Sequence, residues 1–400
     1  MSAIGRREDG GVDRQAFTPE DGAARRLMVA WAAAAGLRSS TDAVGNLFIR
    51  YAPDGVQDGS PVMSGSHLDT QPAGGWLDGA YGVVAALEVL VSLKEKAVQV
   101  DRPLDVVAWV NEEGSRFLPG MIGSASYVGH IDIADIEDNR DTDGTRLGDA
   151  IRSLLDATPG LPVRPPPQAV SAYVELHIEQ GPILEKAGIP IGVVSAVQGY
   201  RVLEVTVHGR TAHAGTTPHS MRKDAVRGAV AVIAALTREL SDAQETTRFT
   251  VGRISALPGS PSSVADEVTF TIDLRHPSKD VLDRAVETIS RFAERFAEPC
   301  SAETVLVEVL EPVQFNQTII DTIGQIAEES GYRTHAILSG AGHDAAMIAT
   351  RHPAGMIFIP CHQGISHHPD ENASDADLIA GTVVLGETLK RLAQSSNSDV

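Results

Sequence analysis

Residues 104–110 read LDVVAWV, and all of these side chains except Asp105 are apolar. An apolar run without alternation is typical of a strand that is covered on both faces. The preceding segment, residues 79–96 (GAYGVVAALEVLVSLKEK), has apolar side chains at helical spacing, and residues 60–66 and 173–178 are further candidate strands. Alternating strands and helices predict an α/β fold with a mostly parallel sheet flanked by helices.

The middle of the chain has a different order of predicted strands and helices. The pattern there predicts, in order, a strand at 201–207, a helix at 221–240, strands at 248–257 and 268–275, a helix at 279–296 and a strand at 304–309. This β-α-β-β-α-β order is a compact α+β unit of its own. We therefore expect one domain from residues 1–192 and 312–400, and an inserted domain from residues 193–311.

Composition excludes several classes of protein. The 400 residues include 53 acidic and 33 basic ones, a formal charge of −20 that disfavours nucleic acid and anionic lipid as partners. Cys300 and Cys361 are too few for a disulfide framework or a cysteine metal cluster. No stretch approaches the ~18 apolar residues of a membrane span. We expect a cytoplasmic protein that binds neither nucleic acid nor membrane.

Metal-binding side chains recur where strands give way to loops. Five loops carry them: His67, Asp78, Glu112 with Glu113, His177 and His367. A single histidine at a strand end is usually a hydrogen-bonded surface residue, and paired glutamates usually form a solvated face. Their joint occurrence is harder to explain in that way, because loops at strand ends of open α/β sheets carry functional groups.

This set of side chains suits a pair of metal ions. Three imidazoles, a bridging carboxylate and a terminal carboxylate would satisfy two divalent ions about 3.5–4 Å apart, such as Zn²⁺ or Mn²⁺, with one water between them. Of two adjacent glutamates, one can bind metal while the other takes a proton from that water. Two divalent ions and three carboxylates leave a weakly positive pocket, which favours an anionic substrate.

Seven blocks of sequence carry a resemblance to a known family. In chain order they are GSHLDTQPAGGWLDG, NEEGSRFLPGMIGS, ELHIEQGPILE, GRTAHAGTTPHSMRKDA, FTIDLRHP, SGAGHDA and GISHHPDE. They resemble the M20 metallopeptidase superfamily, and within it the group of N-carbamoyl-L-amino acid hydrolases, β-ureidopropionases and allantoate amidohydrolases. The resemblance runs from about residue 10 to the C-terminal helix. HIEQGP is the sharpest marker, because related peptidases usually have a carboxylate at the position of His177.

The resemblance implies a ligand set. It places His67 and His177 on one metal ion, Glu113 and His367 on the other, and Asp78 between them. It implies two divalent ions per subunit, with zinc as the first expectation and manganese, cobalt or nickel as alternatives.

The resemblance also assigns roles around the metals. Glu112 becomes the general base, and Asp69 orients His67, as carboxylates commonly do for metal-bound imidazoles. A cis peptide bond is expected after Asp78, where Gly79 would tolerate it.

Further blocks imply contacts with the substrate. Arg275 would clamp the substrate carboxylate, and His213 would reach the active site of a neighbouring subunit and stabilise the oxyanion. Gln180 would bind the ureido or amide group, and Gly342 would offer backbone groups. Ser262 stands where the family usually has an asparagine. Without the motifs, Arg275 would be a surface ion pair, His213 a turn residue and Gln180 a structural side chain.

The predicted function is a metal-dependent amidohydrolase that cleaves the carbamoyl (ureido) C–N bond of N-carbamoyl-L-amino acids, through a metal-bridging hydroxide and a glutamate base. The inserted domain would serve as lid and as the surface of a homodimer. Allantoate, N-carbamoyl-β-alanine and N-acyl amino acids or peptides are alternative substrates, and a non-catalytic metal-binding protein is a further alternative. A serine hydrolase lacks support because the sequence has no G-x-S-x-G motif.

Overall fold

The computed structural model describes residues 1–56, 59–165, 169–241 and 246–394. The chain divides into two compact units. The first comprises Met1–Ser195 and Gln314–Val400, and the second comprises Ala196–Val313. Within the described ranges, no helix combines the length and the apolar character needed to span a membrane.

Fifteen strands are formed by the described residues. They are β1 (Arg38–Thr41), β2 (Leu47–Tyr51), β3 (Val62–His67), β4 (Leu104–Trp109), β5 (Ala172–Ile178), β6 (Ile191–Val197), β7 (Gly199–His208), β8 (Ala212–His213), β9 (Arg248–Leu257), β10 (Ser263–Val264), β11 (Glu267–His276), β12 (Ser301–Leu310), β13 (Val313–Gln314), β14 (Thr334–Ser339) and β15 (Ala354–Ile359).

Eleven α-helices are formed in the same part of the chain. They are α1 (Pro19–Ala34), α2 (Ala80–Glu95), α3 (Ile122–Tyr127), α4 (Ile133–Ile136), α5 (Leu147–Ala157), α6 (Ile183–Ala187), α7 (Ala225–Leu240), α8 (Lys279–Phe296), α9 (Gln317–Glu329), α10 (Asp344–Ala349) and α11 (Asp375–Gln394). Short 3₁₀ turns lie at His219–Met221 and His362–Gly364.

The large sheet confirms the predicted α/β fold. Its strand order is β1-β2-β4-β3-β5-β15-β6-β13, with β14 beside β6. The four central strands β4, β3, β5 and β15 run parallel, whereas β1, β2 and β6 pair antiparallel towards the edges. Parallel neighbours end at the same edge of a sheet, so the loops that follow these four strands meet there.

The central strands are buried along their whole length. Every residue of β3, β4, β5 and β15 is buried. Alternate side chains such as Val106 and Leu176 join a core with helices α2 and α11. The other face of the sheet carries large buried side chains such as Trp109 and Phe358. Because both faces are covered, β4 and β15 are nearly continuous apolar runs.

The second unit is a four-stranded antiparallel sheet with one helical face. The strand order is β12-β7-β11-β9, and α7 and α8 pack on the sheet. In β7 buried and partly exposed residues alternate, and Leu203, Val205 and Val207 join a core with Phe270. The long elements follow the predicted β-α-β-β-α-β order along the chain.

Candidate metal centre

Four loops at one edge of the large sheet bring the candidate ligands together. His67 is the last residue of β3, and His177 is the penultimate residue of β5. Glu113 follows β4, and His367 follows β15. Asp78 lies just before α2. These positions follow from the parallel pairing, because all of these strands end on the same side.

The five side chains form two groups that share Asp78. His67, Asp78 and His177 form one group, and Asp78, Glu113 and His367 form the other. Asp78 Oδ1 lies 3.1 Å from His177 Nε2 and 3.6 Å from His67 Nε2. Asp78 Oδ2 lies 3.2 Å from His367 Nε2, which is 3.5 Å from Glu113 Oε2. Each oxygen of one carboxylate therefore serves a different group, as a bridging ligand must.

These separations fit metal coordination. Tetrahedral zinc with ligands at ~2.0–2.1 Å requires neighbouring donor atoms to be about 3.3 Å apart. The four distances above lie on either side of that value. Imidazole nitrogen and carboxylate oxygen are also donors that zinc accepts. The residues present thus fit two divalent ions in both geometry and chemistry.

Glu112 stands beside the two groups without belonging to either. Its Oε2 lies 3.5 Å from His67 Nε2. Burial raises the pKa of Glu112 well above its usual value, and the nearby carboxylates of Asp344 and Glu113 add to the shift against the opposing effect of His67. A buried carboxyl with a raised pKa next to metal ligands is suited to accept and return a proton.

Asp69 holds both glutamates through their backbone. Its carboxylate accepts hydrogen bonds from Glu112 N at 3.4 Å and Glu113 N at 3.2 Å. His67 Nδ1 lies 2.8 Å from the main-chain oxygen of Asp69 and 3.8 Å from its carboxylate. The nearer acceptor for the imidazole is thus the carbonyl of Asp69, whereas the sequence led us to expect its carboxylate.

Opposite charges in the centre stabilise one another. Burial alone would raise the pKa of Asp78, but the three facing imidazoles hold it well below the usual value. Burial opposes the charged form of His67, yet the surrounding carboxylates, first that of Glu112, raise its pKa well above the usual value. Burial together with Asp78 raises the pKa of Glu113 to about 7. The Asp78 carboxylate raises the pKa of His367 to about 9.

The expected cis peptide bond after Asp78 is wrong. Among the described residues, each cis bond found precedes a proline, and Asp78–Gly79 is trans. Gly79 makes the turn into α2 with φ +62°, a conformation that glycine adopts without steric cost. A Cβ at this position would lie 2.4 Å from the His67 ring. The close approach of the imidazole therefore requires glycine.

Two glutamines also reach the ligands, and of these the sequence singled out only Gln180. Gln71 Nε2 donates to Glu113 Oε2 at 2.8 Å. Gln180 Nε2 donates to Asp78 Oδ2 at 2.9 Å and to Ser366 Oγ at 3.1 Å. We expected Gln180 at the substrate, and the structure places its amide nitrogen on the candidate bridging carboxylate. Its Oε1 is buried without a hydrogen-bond partner in the described part of the chain.

A further buried group lies next to the centre. Glu175, His177 and His343 also bring their ligand atoms together, and the rings of His177 and His343 are 4.7 Å apart. Gly342 precedes His343 in the loop between β14 and α10. A Cβ on Gly342 would make only an ordinary contact with Met121, so packing does not explain the glycine.

The remaining predicted site residues lie in the second unit. His213 in β8 is exposed, and its Nδ1 accepts hydrogen bonds from Gly215 N and Thr216 N at 3.0 and 3.1 Å. Ser262 is close to it, because the Ser262 carbonyl accepts a hydrogen bond from the amide of Ala214, the residue after His213.

Arg275 lies near the end of β11, in the same unit. Its Nε and Nη2 donate to the two carboxylate oxygens of Asp273 at 2.9 Å each. The guanidinium carbon also lies 5.5 Å from the ring centroid of Tyr200.

A family model describes most of this chain. The model of peptidase family M20/M25/M40 matches residues 63–391, a range that contains all five candidate ligands and Glu112. The chain belongs to this peptidase family. The superfamily resemblance of the sequence blocks is thereby confirmed.

Relatives of this M20 chain are similar over nearly their whole length. N-carbamoyl-L-amino acid amidohydrolase of Geobacillus stearothermophilus is 35% identical over 98% of this chain and 96% of its own. Allantoate amidohydrolase of Bacillus subtilis is 34% identical over 98% and 95%. The crystal structure of an amidase of the hydantoinase/carbamoylase family from Burkholderia multivorans superposes with a TM-score of 0.92 at 38% identity, covering 98% and 95%.

Proposed function

We propose that this protein is a metal-dependent amidohydrolase that cleaves the carbamoyl C–N bond of N-carbamoyl-L-amino acids. The observation that supports this most strongly is the position of Asp78, whose two oxygens face two separate groups of metal ligands beside the unliganded carboxyl of Glu112. The names of relatives at about 35% identity over the whole chain indicate the class of bond.

Glu112 performs the proton transfers in this proposal. When bound, two divalent ions supply a nucleophilic water at neutral pH and polarise the substrate carbonyl, which two nitrogen donors deactivate in a ureido group. A Glu112 carboxylate oxygen takes the proton of the attacking water and returns it to the leaving nitrogen as the C–N bond breaks. Burial raises the pKa of this carboxyl, which makes its carboxylate a stronger base towards the water proton than that of an ordinary glutamate.

Residues of the second unit contribute to substrate binding in this proposal. Arg275 binds the substrate carboxylate with parallel hydrogen bonds, the same type of contact that its Nε and Nη2 make with Asp273. Ser262 lies close to His213 and replaces the usual asparagine with a shorter donor.

His213 stabilises the oxyanion of the partner subunit's site in a homodimer. Its Nδ1 accepts two backbone N–H groups, so the proton of the neutral ring is on Nε2, which is then able to donate. The inserted unit supplies both the dimer surface and the lid. In the first unit, Gln180 binds the ureido group and Gly342 offers its backbone to the substrate.

A substrate panel tests the proposal. Metal-reconstituted protein is assayed against N-carbamoyl-L-amino acids, N-carbamoyl-β-alanine, allantoate and N-acetyl-amino acids. Release of ammonia and free amino acid from the first class supports the proposal. Hydrolysis of allantoate alone would favour an allantoate amidohydrolase instead. A protein of that name is 34% identical to this chain, which makes allantoate the main alternative substrate. Binding of two metal ions without hydrolysis of any compound would indicate a non-catalytic protein.

A further inference from the structure

Glu371 connects the loop that carries Asp78 with the loop that carries His367. It lies in the segment after β15 and is only 1% exposed. Its Oε1 accepts hydrogen bonds from Leu77 N at 2.9 Å and Asp78 N at 3.0 Å. Its carboxylate thus fixes the backbone of Asp78, which both candidate metal groups share. It does so from the loop that carries His367, an imidazole of one of these groups.

Packing around Glu371 leaves little room for adjustment. A Cβ added to Gly75 would lie 2.1 Å from Glu371 Cδ and 2.1 Å from Oε1. The loop before Asp78 therefore approaches the carboxyl group as closely as a glycine allows. Any side chain at position 75 would displace the carboxylate from Leu77 and Asp78.

Ser366 lies between Glu371 and Asp78. Its Oγ is 2.8 Å from Glu371 Oε2 and 3.2 Å from Asp78 Oδ2. The hydroxyl has a single proton, so it can donate to only one of the two carboxylates at a time. The shorter distance favours donation to Glu371. Gln180 Nε2 then donates one proton to Ser366 Oγ and the other to Asp78 Oδ2.

This arrangement decides how many lone pairs Asp78 Oδ2 retains. A carboxylate oxygen offers about two acceptor sites. With the Ser366 proton on Glu371, Oδ2 accepts one hydrogen bond from Gln180 and keeps one lone pair towards His367 and Glu113. With the Ser366 proton on Asp78, both lone pairs would be used, and none would be left for a metal ion.

We propose that Glu371 is a positioning residue for the bridging carboxylate. It holds the Asp78 backbone through two N–H groups and draws the Ser366 proton away from Asp78 Oδ2, so that this oxygen can bind metal. The inference rests on the metal centre of the proposed function and is independent of the substrate.

Glu371→Gln tests the second part of this role. The glutamine oxygen can still accept the two backbone N–H groups, but its amide donates to Ser366 and turns the hydroxyl proton towards Asp78. We expect zinc affinity, measured by competition with a chromogenic chelator, to fall 10- to 100-fold, as is typical when groups behind metal ligands are changed. Ser366→Ala removes the competing proton and should stay within about threefold of wild type. The double variant should recover most of the affinity that Glu371→Gln loses.

Two further variants separate positioning from general stability. Gly75→Ala displaces the Glu371 carboxylate without changing its chemistry and should lower zinc affinity in the same direction, which provides a test even if Glu371→Gln does not fold. Asp42→Asn is the matched control, because Asp42 accepts backbone N–H groups of Val44 and Gly45 and contacts no candidate ligand. It should bind zinc as wild type does. Thermal unfolding of the metal-free variants, with circular dichroism, monitors the fold.

The outcomes are distinguishable from those of the function assay. Wild-type zinc affinity in both Glu371→Gln and Gly75→Ala would overturn the inference, and so would a loss in Asp42→Asn as large as theirs. Failure of the double variant to recover affinity would overturn the proton-directing part. If wild-type protein binds two zinc ions but hydrolyses no ureido compound, the proposed function fails. The zinc affinities of the variants still test this inference in that case.

Discussion

Glu112→Gln keeps the size of the side chain and removes its capacity to accept a proton. The structure indicates that little else should change. The Glu112 carboxylate lies 3.5 Å from His67 Nε2, and neither candidate metal group includes it. The bond that fixes this residue to Asp69 comes from its backbone N–H, which the substitution leaves in place. We therefore expect two bound metal ions and an unchanged fold.

The expected loss is confined to the chemical step. General acid–base catalysis contributes typically 10²- to 10⁴-fold, so kcat should fall by that factor. At 1.36 kcal/mol per tenfold change, this corresponds to about 3–5 kcal/mol of transition-state stabilisation. KM should change little, because the charges that bind the substrate carboxylate are elsewhere in the proposal. The assay is steady-state release of amino acid from N-carbamoyl substrates with saturating zinc.

The neighbouring residue provides the matched control. Glu113→Gln makes the same chemical change one position along the chain, but Glu113 belongs to the second metal group. Its main effect should be a lower metal content at a fixed free zinc concentration, approaching one ion per chain, whereas Glu112→Gln should retain two. A Glu112→Gln variant with two bound ions and more than a tenth of the wild-type kcat would refute the assignment of the base.

Three other predictions concern the centre and the second unit. Asp78→Asn should weaken binding of both zinc ions together, because its oxygens face both groups, and isothermal titration that shows one site intact would contradict this. Zinc affinity should rise between pH 6.5 and 8.5, and binding should release protons. The reason is that Asp78 raises the pKa of His367 to about 9, so this imidazole is protonated in the metal-free protein and must lose its proton to bind. Calorimetry in buffers of different ionisation enthalpy measures that release, and a binding heat independent of the buffer would contradict it. Phe270→Ala should lower the free energy of unfolding in urea by about 3–5 kcal/mol because the ring is fully buried, whereas Ile254→Ala, at a side chain that is 61% exposed, should stay within about 0.5 kcal/mol; equal effects would contradict the packing.

The buried strands and long helices could be predicted from the sequence because their signals are local. The strand at 248–257 and the helix at 279–296 agree with β9 and α8 at both ends. The apolar run of 104–110 agrees with β4 to one residue. In each case the spacing of apolar side chains indicates which faces of the strand or helix are buried. This holds without knowledge of the elements that pack against them.

Elements whose stability comes from a partner were not predicted. Strand β1 (RSST) has no apolar pattern and forms by antiparallel pairing of Arg38–Thr41 with β2. Strand β6 pairs antiparallel with β15, which follows it by more than 150 residues. The sequence around 192 showed only a change of rhythm. Such strands depend on hydrogen bonds to a neighbour that local periodicity does not reveal.

The ligand positions could be predicted for a related reason. The end of a buried strand is visible in the sequence, and parallel strands place their ends at one edge, so His67, Glu113 and His177 could be expected near one another. The roles of Arg275 and His213 came from the family resemblance alone. In the second unit His213 is exposed and Arg275 is partly buried, and their contacts with substrate remain predictions.

Glu371 shows what such reasoning misses. It lies in the segment HHPDENAS, whose Pro, Asp, Asn and Ser predict a solvated turn, and a glutamate there is ordinarily exposed. Its burial follows from two backbone N–H groups that lie 293 and 294 positions earlier in the chain. Neither local composition nor periodicity can indicate that a carboxylate accepts hydrogen bonds from backbone N–H groups so distant in the sequence. The pair Gly74–Gly75 before Asp78 is the signal that could have indicated the buried glutamate. Two glycines next to a candidate ligand imply that another group occupies the space where their side chains would be.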